Sequence, residues 1–315
     1  LEDALTRSAL LLINRKSRNG ATDVEAGLAC IQQAGIDIID AGLERPDQIP
    51  EAIRRHADHV DCVIVGGGDG SLNAAAPALV ETGLPLGILP LGTANDLART
   101  LAIPTDIEAA AQIIVSGIWH HIDVGSVNGH YFFNVANIGL GVQVTHQLSP
   151  DLKQRWGVIC YARSLVSAFR SFNPFHADIV CDGRRHRVRS IQIAVGNGRY
   201  YGGGMAVDDE ASIDDHRFFL YSIEPLDFWN MLRLAPAVRT GTFKEHHPVH
   251  LEQGRTIEIV TRKPMIVTAD GEIVTRTPAR FTMHGGAVQV FVPPGYLHKY
   301  EETRHVAEKR TAARA

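Results

Sequence analysis

A chain of 315 residues has room for two domains with cores of their own, and a net charge of −4 does not suit a general nucleic-acid binder. Hydrophobic residues make up 45% and charged residues 21%, the proportions of a globular protein in water, and no apolar run approaches the length that spans a bilayer. Cys30, Cys62, Cys160 and Cys181 lie far apart without C-x-x-C spacing, so they read as reduced, mostly buried thiols, neither disulfides nor zinc ligands. The chain opens on Leu1 without a signal-peptide pattern, and is expected to be a piece of a cytoplasmic protein.

In chain order, residues 9–14 (ALLLIN) are the first candidate strand, apolar enough to be buried on both faces. A polar loop over 15–20 leads to a helix over 23–34, stopped by Gly35. A strand over 36–39, a helix over 49–57 and a strand over 61–65 follow. Next come Gly66-Gly67-Gly68-Asp69-Gly70-Ser71 and a helix over 72–80. A strand over 85–89 then runs into Pro90-Leu91-Gly92-Thr93-Ala94-Asn95-Asp96. Alternating strands and helices imply a parallel sheet with helices on both faces, whose ligands bind beyond the carboxyl ends of the strands. Asn14, Gly66 to Ser71 and Gly92 to Asn95 all fall there.

The glycine run follows a strand and precedes a helix, the geometry in which backbone N–H groups and a helix N-terminus meet phosphate. Asp69 would repel phosphate unless a divalent cation sat between them, so the loop suggests a nucleotide with Mg²⁺. A tight turn without ligand is the plainer alternative. Thr93, with Asp96 three residues on, reads as a capping box, while Thr93 or Asn95 could also contact a ligand.

Near His120 the pattern changes. Residues 122–127 and 131–136 flank Asn128-Gly129, a hairpin signal, and Asp182-Gly183 is another. A basic amphipathic helix is expected over 151–172, with packing on the sheets or contact with anionic lipid as its two readings. Strands are expected over 176–181, 186–195, 217–223, 256–261, 265–269, 279–284 and 287–292, and a helix over 227–239. Together they predict an antiparallel β-sandwich. His246-His247-Pro248-Val249-His250 and His120-His121 read as solvated loop histidines. Asp270-Gly271-Glu272 reads as a hairpin turn with an exposed Glu. Asp209, Asp214 and Asp215 read as a solvated acidic loop or a hard-cation site.

Four segments in this order resemble the diacylglycerol-kinase-type bacterial lipid kinases: Gly67-Gly68-Asp69-Gly70-Ser71-Leu72-Asn73, Leu91-Gly92-Thr93-Ala94-Asn95-Asp96-Leu97-Ala98-Arg99, Gly196-Asn197-Gly198-Arg199-Tyr200-Tyr201-Gly202-Gly203-Gly204-Met205 and Asp270-Gly271-Glu272. The resemblance covers nearly the whole chain. It implies an α/β nucleotide domain over 1–121, rejoined by 296–315, and a β-sandwich lipid domain over 122–295. ATP phosphates would meet Gly67 to Gly70 and Thr93, and Asp69 would orient Mg²⁺ and nucleotide. Asp270 would be the general base with Glu272 beside it. A structural Mg²⁺ would take the Asp215 carboxylate with the carbonyls of Ser212 and Arg217. The partner would be a lipid reached peripherally at the membrane surface, with no nucleic acid; a homodimer is left open.

The sequence departs from that pattern at Asn14-Arg15, where Asn-Pro is usual, and at Asp40-Ala41-Gly42, where a Thr is expected. Ala74 stands where Glu often follows Asn, and His216 where Gly is usual. Rival readings are an NAD-kinase-like enzyme and a non-catalytic nucleotide-binding regulator. The downstream Asp-Gly-Glu favours a lipid acceptor over NAD, and retention of Asp69, Asp270 and Glu272 argues for catalysis.

Overall fold

The computed structural model describes residues 7–13, 21–43, 45–140, 142, 173–198, 200–201, 205–206, 212–226 and 249–296. Asn14 and the loop after it, the expected helices over 151–172 and 227–239, and the polar tail lie outside the described residues. The chain divides into two compact units, one of residues up to Ile122 and from Gly286 on, the other from Asp123 to Gly285.

In the first unit, β1 (Arg7–Ile13), β2 (Ile36–Asp40), β3 (Cys62–Gly67) and β4 (Leu86–Pro90) form a parallel sheet in the order β2-β1-β3-β4. Every residue of β3 and β4 is buried, as a central strand covered on both faces requires. The covering helices are α1 (Ala21–Gln33), α2 (Ile49–His56), α3 (Asp69–Thr82), the short α4 (Asp96–Thr100) and α5 (Ile107–Ser116). Helix α1 packs on α5, and α2 on α3. Gly27 lets α1 come close: a Cβ there would stand 2.8 Å from the Ile107 side chain. The sequence reading assigned no helix at α5, although its signals are local. The Asp106 carboxylate accepts the Ala109 N–H at 2.8 Å, and Gly117 at φ +69° ends the helix.

The second unit is built from antiparallel strands, of which β5 begins and β18 ends in residues of the first: β5 (Trp119–Val127), β6 (His130–Phe132), β7 (Val135–Gly139), β8 (Phe175–Cys181), β9 (Arg184–Ser190), β10 (Gln192–Gly196), the short ribbon β11 (Tyr200–Tyr201) and β12 (Met205–Ala206), β13 (Phe218–Ile223), β14 (Val249–Gly254), β15 (Thr256–Thr261), β16 (Ile266–Ala269), β17 (Glu272–Arg276) and β18 (Ala279–Phe291). One sheet runs β14-β13-β10-β7-β16-β17; in the other, β18, β15, β8 and β9 lie side by side, and β5 pairs with β18 and β6. Phe132, Phe218 and Phe281 are fully buried and meet in the core, with ring centroids 5.9 to 6.4 Å apart.

Three boundaries differ from the sequence reading. The strand expected over 186–195 is two strands in different sheets. The chain crosses between them at Ser190, whose buried hydroxyl lies 2.8 Å from the Gln192 carbonyl and 3.0 Å from the Ile223 carbonyl, with one proton to donate between them. The two strands expected over 279–292 are one, β18, carried through Gly285 and Gly286. Strand β18 ends beside β4, with Val290 opposite Leu86, and the first unit resumes at Gly286. The strand expected over 131–136 breaks at Phe133-Asn134, for a reason that lies in the site.

Phe281→Ala removes one member of the ring cluster. It is expected to lower unfolding free energy by about 3–5 kcal/mol in chemical denaturation.

Candidate active site

The glycine run is shorter as a loop than its sequence suggests. Gly66 and Gly67 end β3, Gly68 is the extended N-cap of α3, and Asp69, Gly70 and Ser71 are the helix's first turn. None of these residues has a positive φ. Close approach, not unusual backbone conformation, explains Gly68 and Gly92. A Cβ on Gly92 would stand 2.5 Å from the Gly68 Cα and 2.6 Å from the Asn95 Oδ1. The turn after β3 and the turn after β4 therefore touch backbone to backbone. Gly70 is different: it is exposed, and a Cβ there would meet nothing within 4 Å.

Asp69 fastens the two turns. Its Oδ2 accepts the Asp96 N–H and its Oδ1 the Leu97 N–H, each at 3.1 Å. These are first-turn amides of α4, left without partners by the helix itself. The capping box expected at Thr93 is thus absent. The N-cap is Asn95, left-handed at φ +49°, and the capping carboxylate comes from α3. Thr93 is exposed, two residues ahead of the N-cap. Asn95 is buried, and its Nδ2 donates to the Gly92 carbonyl at 2.9 Å. The Asn95 Oδ1 is buried without a hydrogen-bond partner, and so is the Oδ1 of Asn73, one helical turn after Asp69. Asn73 was not among the expected site residues, though its spacing from Asp69 on a helix was legible.

In the second unit, Asp270 and Gly271 make a two-residue hairpin turn between β16 and β17, with φ +46° and +90°. The Asp270 side chain does not simply project from it. Its Oδ2 accepts the Phe133 N–H at 2.8 Å, and its Oδ1 accepts the N–H groups of Asn134 and Val135, both at 3.0 Å. Those amides are turned toward the carboxylate and away from a strand ladder, which is why β6 and β7 are separate. Glu272 is exposed on β17.

The Ser212–Arg217 loop also lies in the second unit. The Asp215 carboxylate accepts the Arg217 N–H at 3.1 Å and the Ser212 N–H at 3.4 Å. Burial, beyond what those bonds offset, pushes its pKa from 3.8 up to about 7. His216 does not compensate it. Its ring is 2.7 Å from the fully buried Asp123, whose other carboxylate oxygen accepts the His216 N–H at 2.6 Å. What surrounds the desolvated carboxylate is two backbone N–H groups; as an oxygen ligand it is itself of the type a hard cation takes.

Residues 8–127 match the family model of the diacylglycerol kinase catalytic domain, and residues 135–292 that of the YegS C-terminal NAD kinase beta sandwich-like domain. A Klebsiella pneumoniae protein named "Probable lipid kinase YegS-like" is 31% identical over 296 residues, covering 91% of this chain and 96% of its own. A Bacillus subtilis protein named "Diacylglycerol kinase" is 28% identical over 237 residues, covering 74% and 78%. The fold is that of a diacylglycerol kinase crystal structure from Bacillus anthracis, with TM-score 0.74 at 21% identity over 92% of this chain and 98% of that one. Fold and matched domains define a two-domain kinase of the lipid-kinase class. The chain belongs to the family of YegS-like lipid kinases and diacylglycerol kinases.

The raised Asp215 value has a definite sign. Folded protein holds a proton that unfolded protein has released between about pH 4 and 7, so this group's contribution makes metal-free stability fall as pH rises through that window. At pH 7.5 added Mg²⁺ is expected to raise the melting temperature of the wild type and not that of Asp215→Asn, read by differential scanning fluorimetry.

Proposed function

We propose that the protein is an ATP-dependent lipid kinase, transferring the γ-phosphoryl group to a hydroxyl of diacylglycerol or a related lipid. The observation that carries this reading is Gly70. Packing of the chain on itself accounts for Gly68 and Gly92, but Gly70 opens onto free space in the first turn of α3. Glycine in a helix costs stability relative to alanine. Its use here suits a phosphate that approaches the helix N-terminus and meets bare backbone. The printed names of the relatives, lipid kinase and diacylglycerol kinase, supply the acceptor class.

In this reading Gly66, Gly67, Gly68, Gly70, Ser71, Gly92, Thr93 and Asn95, with Asn14, surround the nucleotide phosphates. Asp69 has used one N–H bond on each oxygen, and a carboxylate has about four lone-pair sites, so it keeps capacity for a hard cation. Mg²⁺, when bound, offsets phosphate charge that Asp69 alone would repel. Asp270 takes the proton of the acceptor hydroxyl, its orientation set by three backbone N–H groups, and Glu272 adds negative charge beside it. Asp215, with the carbonyls of Ser212 and Arg217, holds the structural cation. Acting on a lipid, the protein works peripherally at the cytoplasmic membrane surface. No helix among the described residues is long and apolar enough to cross a membrane.

The test is incubation with labelled ATP, Mg²⁺ and either a total lipid extract or NAD⁺, followed by mass spectrometry of labelled products. A phosphorylated lipid is the expected product; label in NADP⁺ alone would sink the reading.

Asp270→Asn is expected to bind ATP normally and to lose about 10²–10⁴-fold in kcat, assayed well below its melting temperature. It should also melt several degrees lower, because an amide cannot accept all three N–H bonds. A wild-type kcat with a lowered melt would leave Asp270 a hairpin latch only.

A further inference from the structure

The histidines around Pro248 read from sequence as solvated because no carboxylate completes them locally. The fold supplies one to His250. Residues 249–254 are strand β14, so His250 and Glu252, two apart, lie on one face of it. Strand β14 is the edge of one sheet and β9 the edge of the other. His186 on β9 meets this pair: its Nε2 is 3.2 Å from Glu252 Oε1, and the His250 Nε2 is 2.8 Å from the same oxygen. Among the described residues, this is the group of three whose ligand atoms all lie within 4.8 Å of one another.

The geometry is near that of a bound ion. Nitrogen ligands at 2.0–2.1 Å in a tetrahedron stand about 3.3 Å from one another. Small shifts of three side chains would therefore seat a cation. Hydrogen bonding alone leaves the group incomplete. Both imidazoles address Oε1, while Glu252 Oε2, buried, accepts no hydrogen bond of ordinary geometry, the Cys181 thiol lying against the carboxylate. The Glu252 side chain is only 11% exposed, and the imidazoles, at 44% and 32%, leave a side open to water for a fourth ligand. Two nitrogens and one carboxylate suit a borderline first-row dication; Mg²⁺ and Ca²⁺ prefer oxygen throughout.

We propose that His186, His250 and Glu252 bind a divalent transition-metal ion of the Zn²⁺ type, which clips edge strand β9 of one sheet to edge strand β14 of the other. This site is separate from the Mg²⁺ assigned to Asp69 and Asp215 and does not depend on the kinase reading.

Full-length, tag-free protein stripped with chelator is titrated with Zn²⁺ against a chromophoric competitor, with Mg²⁺ present throughout. One equivalent is expected per chain. His186→Gln and Glu252→Gln should each weaken it by more than the roughly 10–100-fold that loss of a ligand's supporting hydrogen bond costs. His59→Gln and the double variant His246→Gln/His247→Gln should keep it. Zn²⁺ should raise the melting temperature of the wild type and the two controls but not of the two site variants, each first shown to melt cooperatively without metal. Equal Zn²⁺ affinity in wild type and His186→Gln, or loss of the site only in the His246/His247 variant, overturns the assignment.

Discussion

The Asp69 carboxylate is the first residue of α3 and the cap of α4 at once, and much of the first unit's site geometry depends on that double use. Two helices that follow different strands, β3 and β4, would each begin with unsatisfied N–H groups. One carboxylate takes two of those of α4 while adding negative charge at the start of α3, where the helix dipole favours it. The side chain is short, so the turns must come close. Gly68 and Gly92 permit this because neither carries a Cβ. Caps of this kind contribute about 0.5–2 kcal/mol. The larger consequence is positional: the two strand-end turns behave as one piece, and the left-handed Asn95 is held buried between Gly92 and α4.

Asp270 repeats the device in the β unit. Asp182 shows that the device needs no ligand to justify it. It too starts an Asp-Gly turn with φ positive, and its carboxylate accepts the Arg255 and Thr256 N–H groups. The Thr256 bond leads the effects that hold the Asp182 pKa below the usual carboxylate range. Asn128, in the Asn-Gly turn, bonds to Thr275, Pro278 and Arg280. All three hairpin turns tie themselves to a neighbouring segment through the first turn residue. A carboxylate at such a turn is thus not catalytic by position, and the functional weight on Asp270 comes from family membership.

What the sequence disclosed and what it hid divide along range. The β–α alternation, the hairpins at Asn128-Gly129, Asp182-Gly183 and Asp270-Gly271, and the stop at Gly35 are carried by residues adjacent in the chain. The motifs were legible for the same reason. The cap of α4 was not, because its acceptor is 27 residues from the Asp96 amide. The break at Phe133-Asn134 was not, because the competing carboxylate is 136 residues away from Asn134. Strand β14 was hidden because His246, His247 and Pro248 stand just before it in the sequence and read as a loop. Its strand character comes from pairing with β13, six residues in register.

The His216 departure changes which acidic group of the loop finds a partner within the chain. At φ +60° a non-glycine residue carries strain, and the family's glycine would avoid it. Here the strain is offset by two contacts with one buried group, since Asp123 meets both the His216 backbone and its ring. A fully buried carboxylate needs partners more than a loop needs a relaxed dihedral. The imidazole is therefore spent on Asp123, and Asp215 is left desolvated with only backbone donors. The substitution alters which acidic group is compensated from within the chain. It does not remove the carboxylate that a cation would bind.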